Sequence, residues 1–218
     1  LFPGKPVFNI PYFCDLAPYR AARARARRDE RHVDVLFSGQ MIARKGVDLL
    51  IDAFARVATR HQKLRLLLLG GGPERRQFEA QVPEALKDRV VFLGHREPED
   101  LPDVFATADI FCLPSRHDGW GVVVNEALGA GLPLIVTETV GASHDLVQQK
   151  QNGFRIPTED VGTLAAYMEK LSVDKELRRR MSQASATISH EWDVDEGVKR
   201  WRSLSGSRLV QQITRPVA

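Results

Sequence analysis

The chain has 218 residues, 43% of them apolar and 27% charged, with a net charge of +3, a length that admits one large domain or two small ones. Those proportions are those of a globular protein in water, and no apolar run approaches the roughly 18 residues that a membrane span needs. Two cysteines, Cys14 and Cys112, do not make a disulfide framework, so a reducing, cytoplasmic compartment is expected.

In chain order, residues 1–19 carry prolines at positions 3, 6, 11 and 18 and read as an irregular linker, because proline removes donors and biases its neighbour away from helix. The opening residues lack the charged start and apolar stretch of a signal peptide. Arg20, Arg23, Arg25, Arg27, Arg28 and Arg31 then complete a linker and basic helical segment over 1–32. Such a segment can attract anionic lipid or nucleic acid. Its intervening residues are mostly alanine with no aromatic among them, which favours a solvated face; a peripheral contact with the inner face of a membrane stays open, and nucleic acid is not expected.

From residue 33 the pattern alternates. A strand over 33–39 ends in a glycine turn, and a helix over about 46–60 shows Leu49, Leu50, Ala53, Phe54 and Val57 on one stripe. A second strand over 64–69 runs into Gly70-Gly71-Gly72, with Pro73 as the expected first residue of the next helix. A third strand spans 90–93, a short helix 98–106 and a fourth strand 109–113. A glycine-bearing loop then enters a helix that carries Glu126. Runs at 134–136 and 153–156 supply strands five and six, and helices at 160–171, 174–189 and 194–204 close the domain before a tail over 205–218. Continuous apolar strands alternating with helices imply an α/β, doubly wound Rossmann-like domain with a six-stranded parallel sheet. In the common order 3-2-1-4-5-6, the loops after strands one and four face each other across the ligand crevice.

Those two loops hold the residues with chemical potential. Arg44 and Lys45 precede the helix near Gly46, where the dipole disfavours cations and a bound diphosphate would compensate; two exposed cations are the plain alternative. Gly119 and Gly121 allow close approach of a ligand to the backbone. Glu126, among Val122, Val123, Val124, Ala127 and Leu128, must be hydrogen-bonded or ligand-facing, and either ribose hydroxyls or a structural bond to a nearby loop would serve. No G-x-G-x-x-G follows a strand and no G-x-x-x-x-G-K-[ST] occurs, which argues against a dinucleotide oxidoreductase and a P-loop nucleotidase. The six histidines show no zinc-like spacing; His117 and His144 fall on carboxyl-edge loops, where a surface role is the simpler reading.

Ser38-Gly39-Gln40 with Arg44-Lys45-Gly46, Leu69 through Pro73, Phe92-Leu93-Gly94, Ala108-Asp109, Pro114-Ser115 and the run from Asp118 through Glu126 to Pro133 are together specific. They resemble the C-terminal, nucleotide-sugar-binding domain of a family 4 GT-B glycosyltransferase, one of the glycosyl transferases group 1. The likeness covers nearly all of residues 33–204 and makes the domain half of a GT-B fold. It implies that Asp118 orients the donor sugar, where the family normally has Glu, and that Glu126 anchors the ribose. The family's diphosphate-binding Arg is replaced by Gln40, its Lys is kept as Lys45, and Arg44 is the substitute cation. By the same resemblance, backbone groups near His95 and Arg96 read the base and the amides of Gly121 and Val122 touch the distal phosphate. Gly39, Gln40, Gly72, Gly119 and Trp120 complete the donor contacts.

The implied reaction is a retaining transfer of a sugar from a nucleoside diphosphate sugar to an acceptor hydroxyl, in polysaccharide or glycolipid synthesis, with no metal and no cofactor besides the donor. The expected partner is an N-terminal acceptor domain missing from this chain, without which the chain is inactive and its tryptophans exposed. A non-catalytic nucleotide-sugar-binding or assembly module, its site decayed at Gln40 and Asp118, is the alternative; an epimerase acting on the same donors is a more distant one.

Overall fold

The structure is a computed structural model that describes residues 11–27 and 31–205. Six strands, Val33–Ser38 (β1), Leu64–Leu69 (β2), Val90–Gly94 (β3), Ile110–Leu113 (β4), Leu134–Thr137 (β5) and Gly153–Ile156 (β6), form one sheet in the order β3-β2-β1-β4-β5-β6. Every pairing is parallel. The reason lies in composition: Val35, Leu36, Phe37, Ile110, Phe111, Cys112, Leu113, Leu134, Ile135 and Val136 are all fully buried, and strands apolar on both faces need helices on both faces. β1 and β4 meet at Val35↔Ile110 and Leu36↔Phe111, so the order in which strands are added reverses between them while all stay parallel, as the alternation predicts.

The helices are Ala17–Arg25 (α1), Val47–Ala58 (α2), Arg75–Gln81 (α3), Leu101–Thr107 (α4), Val123–Gly129 (α5), Ala142–Leu146 (α6), Val161–Val173 (α7), Lys175–Ser189 (α8) and Val194–Ser205 (α9). α2 packs against α3 and α7, while α5 packs against α1, α4, α6 and α8. Boundaries move where backbone chemistry decides them. Gly46 sits in the left-handed region at φ 69°, between a 3-10 turn, Ala43–Lys45, and the first residue of α2, one later than the periodicity implies. α3 starts at Arg75 rather than at Pro73, which stays in the turn. The five-residue α6 was not anticipated, being too short to show a helical period.

The leading segment departs most from its reading as a linker. Leu16 is fully buried and the Tyr19 ring meets Phe105 edge-on at 5.5 Å. Pro18 falls in the first turn of α1, where its missing N–H costs nothing. The arginines expected to be solvated are partly spent on this docking: Arg20 pairs with Asp193, Arg23 donates to the carbonyls of Ala106 and Ala108 at 2.8 and 2.7 Å, and Arg25 pairs with Asp103 at 2.6 Å. Helical spacing aims them at carbonyls and carboxylates of the domain, leaving less charge for an outside partner. Residues 1–10, Arg28 and the tail over 206–218 lie outside the described residues. Of the tryptophans expected to be exposed, Trp201 is 59% exposed, whereas Trp192 is only 7% exposed and stacks on Phe13 at 5.7 Å. No described helix is long and apolar enough to cross a membrane.

Candidate functional site

The crevice above the β1–β4 junction is built by three loops that hold one another. After β1 the backbone passes Gly39 and Gln40 into the 3-10 turn that presents Arg44 and Lys45. A side chain at position 46 would place its Cβ 2.1 Å from the carbonyl oxygen of Pro114, so only glycine lets this turn lie against the loop after β4. Arg116 fastens the contact. Its backbone N–H donates to the Arg44 carbonyl at 2.8 Å, and its guanidinium donates to the Ala43 carbonyl, to both oxygens of Asp48 at 2.8 and 2.6 Å, and to Glu159 at 2.5 Å. Such a forked pair is geometrically specific. For Asp48, burial pushes the carboxyl up, but the hydrogen bonds and charge of Arg116 outweigh it and hold the group below its ordinary range. Arg116 itself is raised, chiefly by its bonds to Asp48.

The third loop follows β5. Asp118 N–H donates to the Thr139 carbonyl at 3.2 Å, Gly141 N–H to the Asp118 carbonyl at 3.0 Å and Ala142 N–H to the Trp120 carbonyl at 2.8 Å. Residues 118–121 are thereby stitched to 139–142. Gly121, at φ 88°, turns the chain into α5 in a conformation that L side chains resist.

In the cleft so formed the side chains of Lys45 and Asp118, each 13% exposed, make an ion pair. Tyr12, Lys45, Asp118, Gly119, Trp120, Gly121, Val122 and Val123 line a volume of about 500 Å³. Of the residues singled out from sequence, Lys45, Asp118, Gly119, Trp120, Gly121 and Val122 are thus brought together. Arg44 is exposed at the rim and donates to the His117 carbonyl at 2.8 Å. Gly39, Gln40 and Gly72 stand at the neighbouring loop crossing, where a Cβ on Gly72 would come within 2.5 Å of the Met41 carbonyl oxygen. His95 and Arg96 are exposed on the loop after β3. The His144 ring bonds the Glu138 carbonyl at 2.8 Å, a structural partner.

Glu126 is placed differently. It does not line the cleft wall with Lys45 and Asp118. Half-buried on α5, it accepts a hydrogen bond from the Tyr19 hydroxyl of α1, and burial raises its pKa against that bond. Burial and the nearby Glu126 charge also raise Tyr19, and burial, Glu126 and Asp193 push the Cys14 thiol up to about 11. The structural partner of Glu126 comes from α1 rather than from a nearby loop. Sequence reasoning also missed Arg116, Tyr12 and Tyr19. Arg116 adjoins the motif and bears the right charge, so it was within reach; the tyrosines lie in a stretch whose prolines hid its packing.

The cleft offers a cation, a carboxylate and backbone groups of a tight loop, which suits a ligand carrying an anionic part and hydroxyls together. Comparison with known proteins gives the family. The family described as glycosyl transferases group 1 matches residues 19–187. The chain belongs to that family. It is 30% identical over 196 residues to an alpha-D-kanosaminyltransferase of Streptomyces kanamyceticus, covering 85% of this chain and 50% of that protein. The chain therefore spans about half the length of this curated relative. Among solved structures, sucrose-phosphate synthase from Thermosynechococcus elongatus superposes with a TM-score of 0.79 at 26% identity, over 94% of this chain and 53% of the other. An Anabaena protein in complex with UDP and glucose superposes with a TM-score of 0.73 at 22% identity, over 88% and 55%. The sheet and its flanking helices are those of a GT-B glycosyltransferase domain.

Proposed function

We propose that this chain is the donor-binding half of a retaining glycosyltransferase that moves a sugar from a nucleoside diphosphate sugar to an acceptor hydroxyl, in polysaccharide or glycolipid synthesis. The observation that carries the reading is the Lys45–Asp118 ion pair inside the cleft over the β1–β4 reversal. A lysine and a carboxylate held together there can separate their tasks when donor arrives, the ammonium meeting the diphosphate and the carboxylate the sugar hydroxyls. The relative's name, a kanosaminyltransferase, and the neighbour's bound UDP and glucose support the same class of ligand.

In this mechanism Lys45 and Arg44 stabilise the charge that develops on the departing diphosphate, which is where electrostatic catalysis acts. Side-chain cations rather than a metal ion neutralise it. The amides of Gly121 and Val122 assist, Asp118 orients the sugar, and His95 and Arg96 border the base through their backbone. Gly39, Gln40 and Gly72 shape the approach to the phosphates. Glu126 takes the ribose by sharing its carboxylate with Tyr19. The acceptor is held by a second, N-terminal domain, and without it the chain binds donor weakly and transfers nothing.

Calorimetry with UDP, GDP and ADP tests the reading. The wild type is expected to bind at least one of them, and Lys45→Ala to lose roughly thirtyfold in affinity, the equivalent of about 2 kcal/mol for a charge-assisted contact. Absence of binding to all three would sink the donor site. Joining the chain to an N-terminal acceptor domain and finding neither transfer nor donor hydrolysis, with nucleotide still bound, would favour a non-catalytic module.

A further inference from the structure

Asn125, the third residue of α5, is fully buried. A buried amide left unpaired is costly, so both of its ends need partners. They have them from opposite directions. The Trp120 indole Nε1–H donates to Asn125 Oδ1 at 2.8 Å, and Asn125 Nδ2 donates to the Tyr12 carbonyl at 3.1 Å. An indole can only donate and a carbonyl can only accept. The side chain between them must therefore accept at one end and donate at the other, which excludes a carboxylate, a hydrocarbon and any group with one function. Both residues joined by the amide, Tyr12 and Trp120, line the Lys45–Asp118 cleft. Their rings lie 5.7 Å apart, and Trp120 continues to Trp192 at 6.2 Å, itself stacked on Phe13.

We propose that Asn125 is a positioning residue that couples the leading segment, residues 11–14, to the glycine loop at 119–122. The position of the segment sets the rotation of Trp120, and Trp120 sets the loop through its backbone bond to Ala142. A displacement of residues 11–14 opens or closes the cleft. The consequence for donor affinity rests on the donor-site reading above; the coupling itself does not.

Hydrogen exchange on the full chain, followed by mass spectrometry, separates the two. In the ligand-free protein Asn125→Leu is expected to speed exchange about fivefold in peptides covering both 119–122 and 11–16, the factor set by one lost buried hydrogen bond, with β2 and α7 unchanged. Trp120→Phe keeps an aromatic ring beside Tyr12 and removes the indole donor. It is expected to speed exchange at 11–16 as well, and to add little in the Asn125→Leu background, because coupled sites are non-additive. Wild-type exchange at 11–16 in folded Trp120→Phe, or full additivity of the two changes, would overturn the coupling. UDP, GDP and ADP affinities measured on the same samples report on the donor site separately. Faster exchange with no nucleotide bound by the wild type would leave the coupling standing and remove its link to donor binding.

Discussion

Two carboxylates eight positions apart, Asp118 and Glu126, leave the same glycine turn for different surroundings. Asp118, in the loop after β4, faces the loop after β1, where Lys45 pairs with it and Arg44 bonds the carbonyl of the adjacent His117. Glu126 faces α1, where its partner is a neutral hydroxyl, Tyr19, and its neighbour Cys14 is a thiol held protonated. Arg20, which follows Tyr19 on α1, is paired with Asp193. The carboxylate set among cations is equipped to exchange partners with an anionic ligand, because its lysine can turn to phosphate without leaving the cleft. The other is equipped to hold the helix in place, and any ligand it takes must share it with Tyr19.

The contrast can be broken in order of expected effect. Gly46→Ala would force a side chain into the left-handed region and against the Pro114 carbonyl, separating the loops that surround Asp118. A loss of roughly 3 kcal/mol or more is expected on thermal unfolding, since αL strain alone costs about 1–2 kcal/mol. Unchanged stability would show that the two loops are not locked. Arg116→Ala removes the forked bond to Asp48 and the contacts to Glu159 and Ala43. About 2 kcal/mol should be lost in urea titration, with a fall in nucleotide affinity although Arg116 is not placed on the ligand.

On the other side, Tyr19→Phe takes away the hydroxyl that Glu126 accepts from, at a cost of about 1 kcal/mol at neutral pH. If nucleotide affinity fell as steeply here as in Lys45→Ala, Tyr19 would be needed to aim Glu126 at the ribose and not only to hold the helix. The smallest effect concerns pH. Glu126 has a folded pKa raised above its unfolded value by burial. Between those two values the folded state binds more protons, so stability falls as pH rises through the window. Glu126→Gln lacks this loss and should gain on the wild type as pH rises above the ordinary carboxylate range. Asp48, with its lowered pKa, runs the other way: its stabilisation is present above the ordinary carboxylate range and fades as pH falls through it. A Glu126→Gln stability curve parallel to the wild type would contradict the raised value.

Much of the cleft side was legible in the sequence because local signals agree there. Apolar runs ended by Gly39, Gly70 and Gly94 set the strands, and the alternation set the sheet order that brings Lys45 opposite Asp118. The α1 side was not legible. Pro11 and Pro18 argue locally for an irregular linker, yet Leu16 and Tyr19 are buried against α4 and α5, a tertiary preference that no window of neighbouring residues contains. The same holds for Glu126, whose companions on α5 announce burial while its partner lies more than a hundred residues earlier. Arg116 was overlooked for another reason: one arginine beside a motif looks like any surface cation until Asp48 is brought to it from the first turn of α2 and Glu159 from the loop after β6.

The central claim is that the donor's diphosphate occupies the Lys45–Asp118 cleft, and a crystal structure of the full chain with UDP or GDP bound tests it most directly. The account predicts phosphate oxygens within hydrogen-bonding distance of Lys45 Nζ and the amides of Gly121 and Val122, with the Lys45–Asp118 pair opened and Tyr19 still bonded to Glu126. A nucleotide seated elsewhere, with that pair intact, would contradict it.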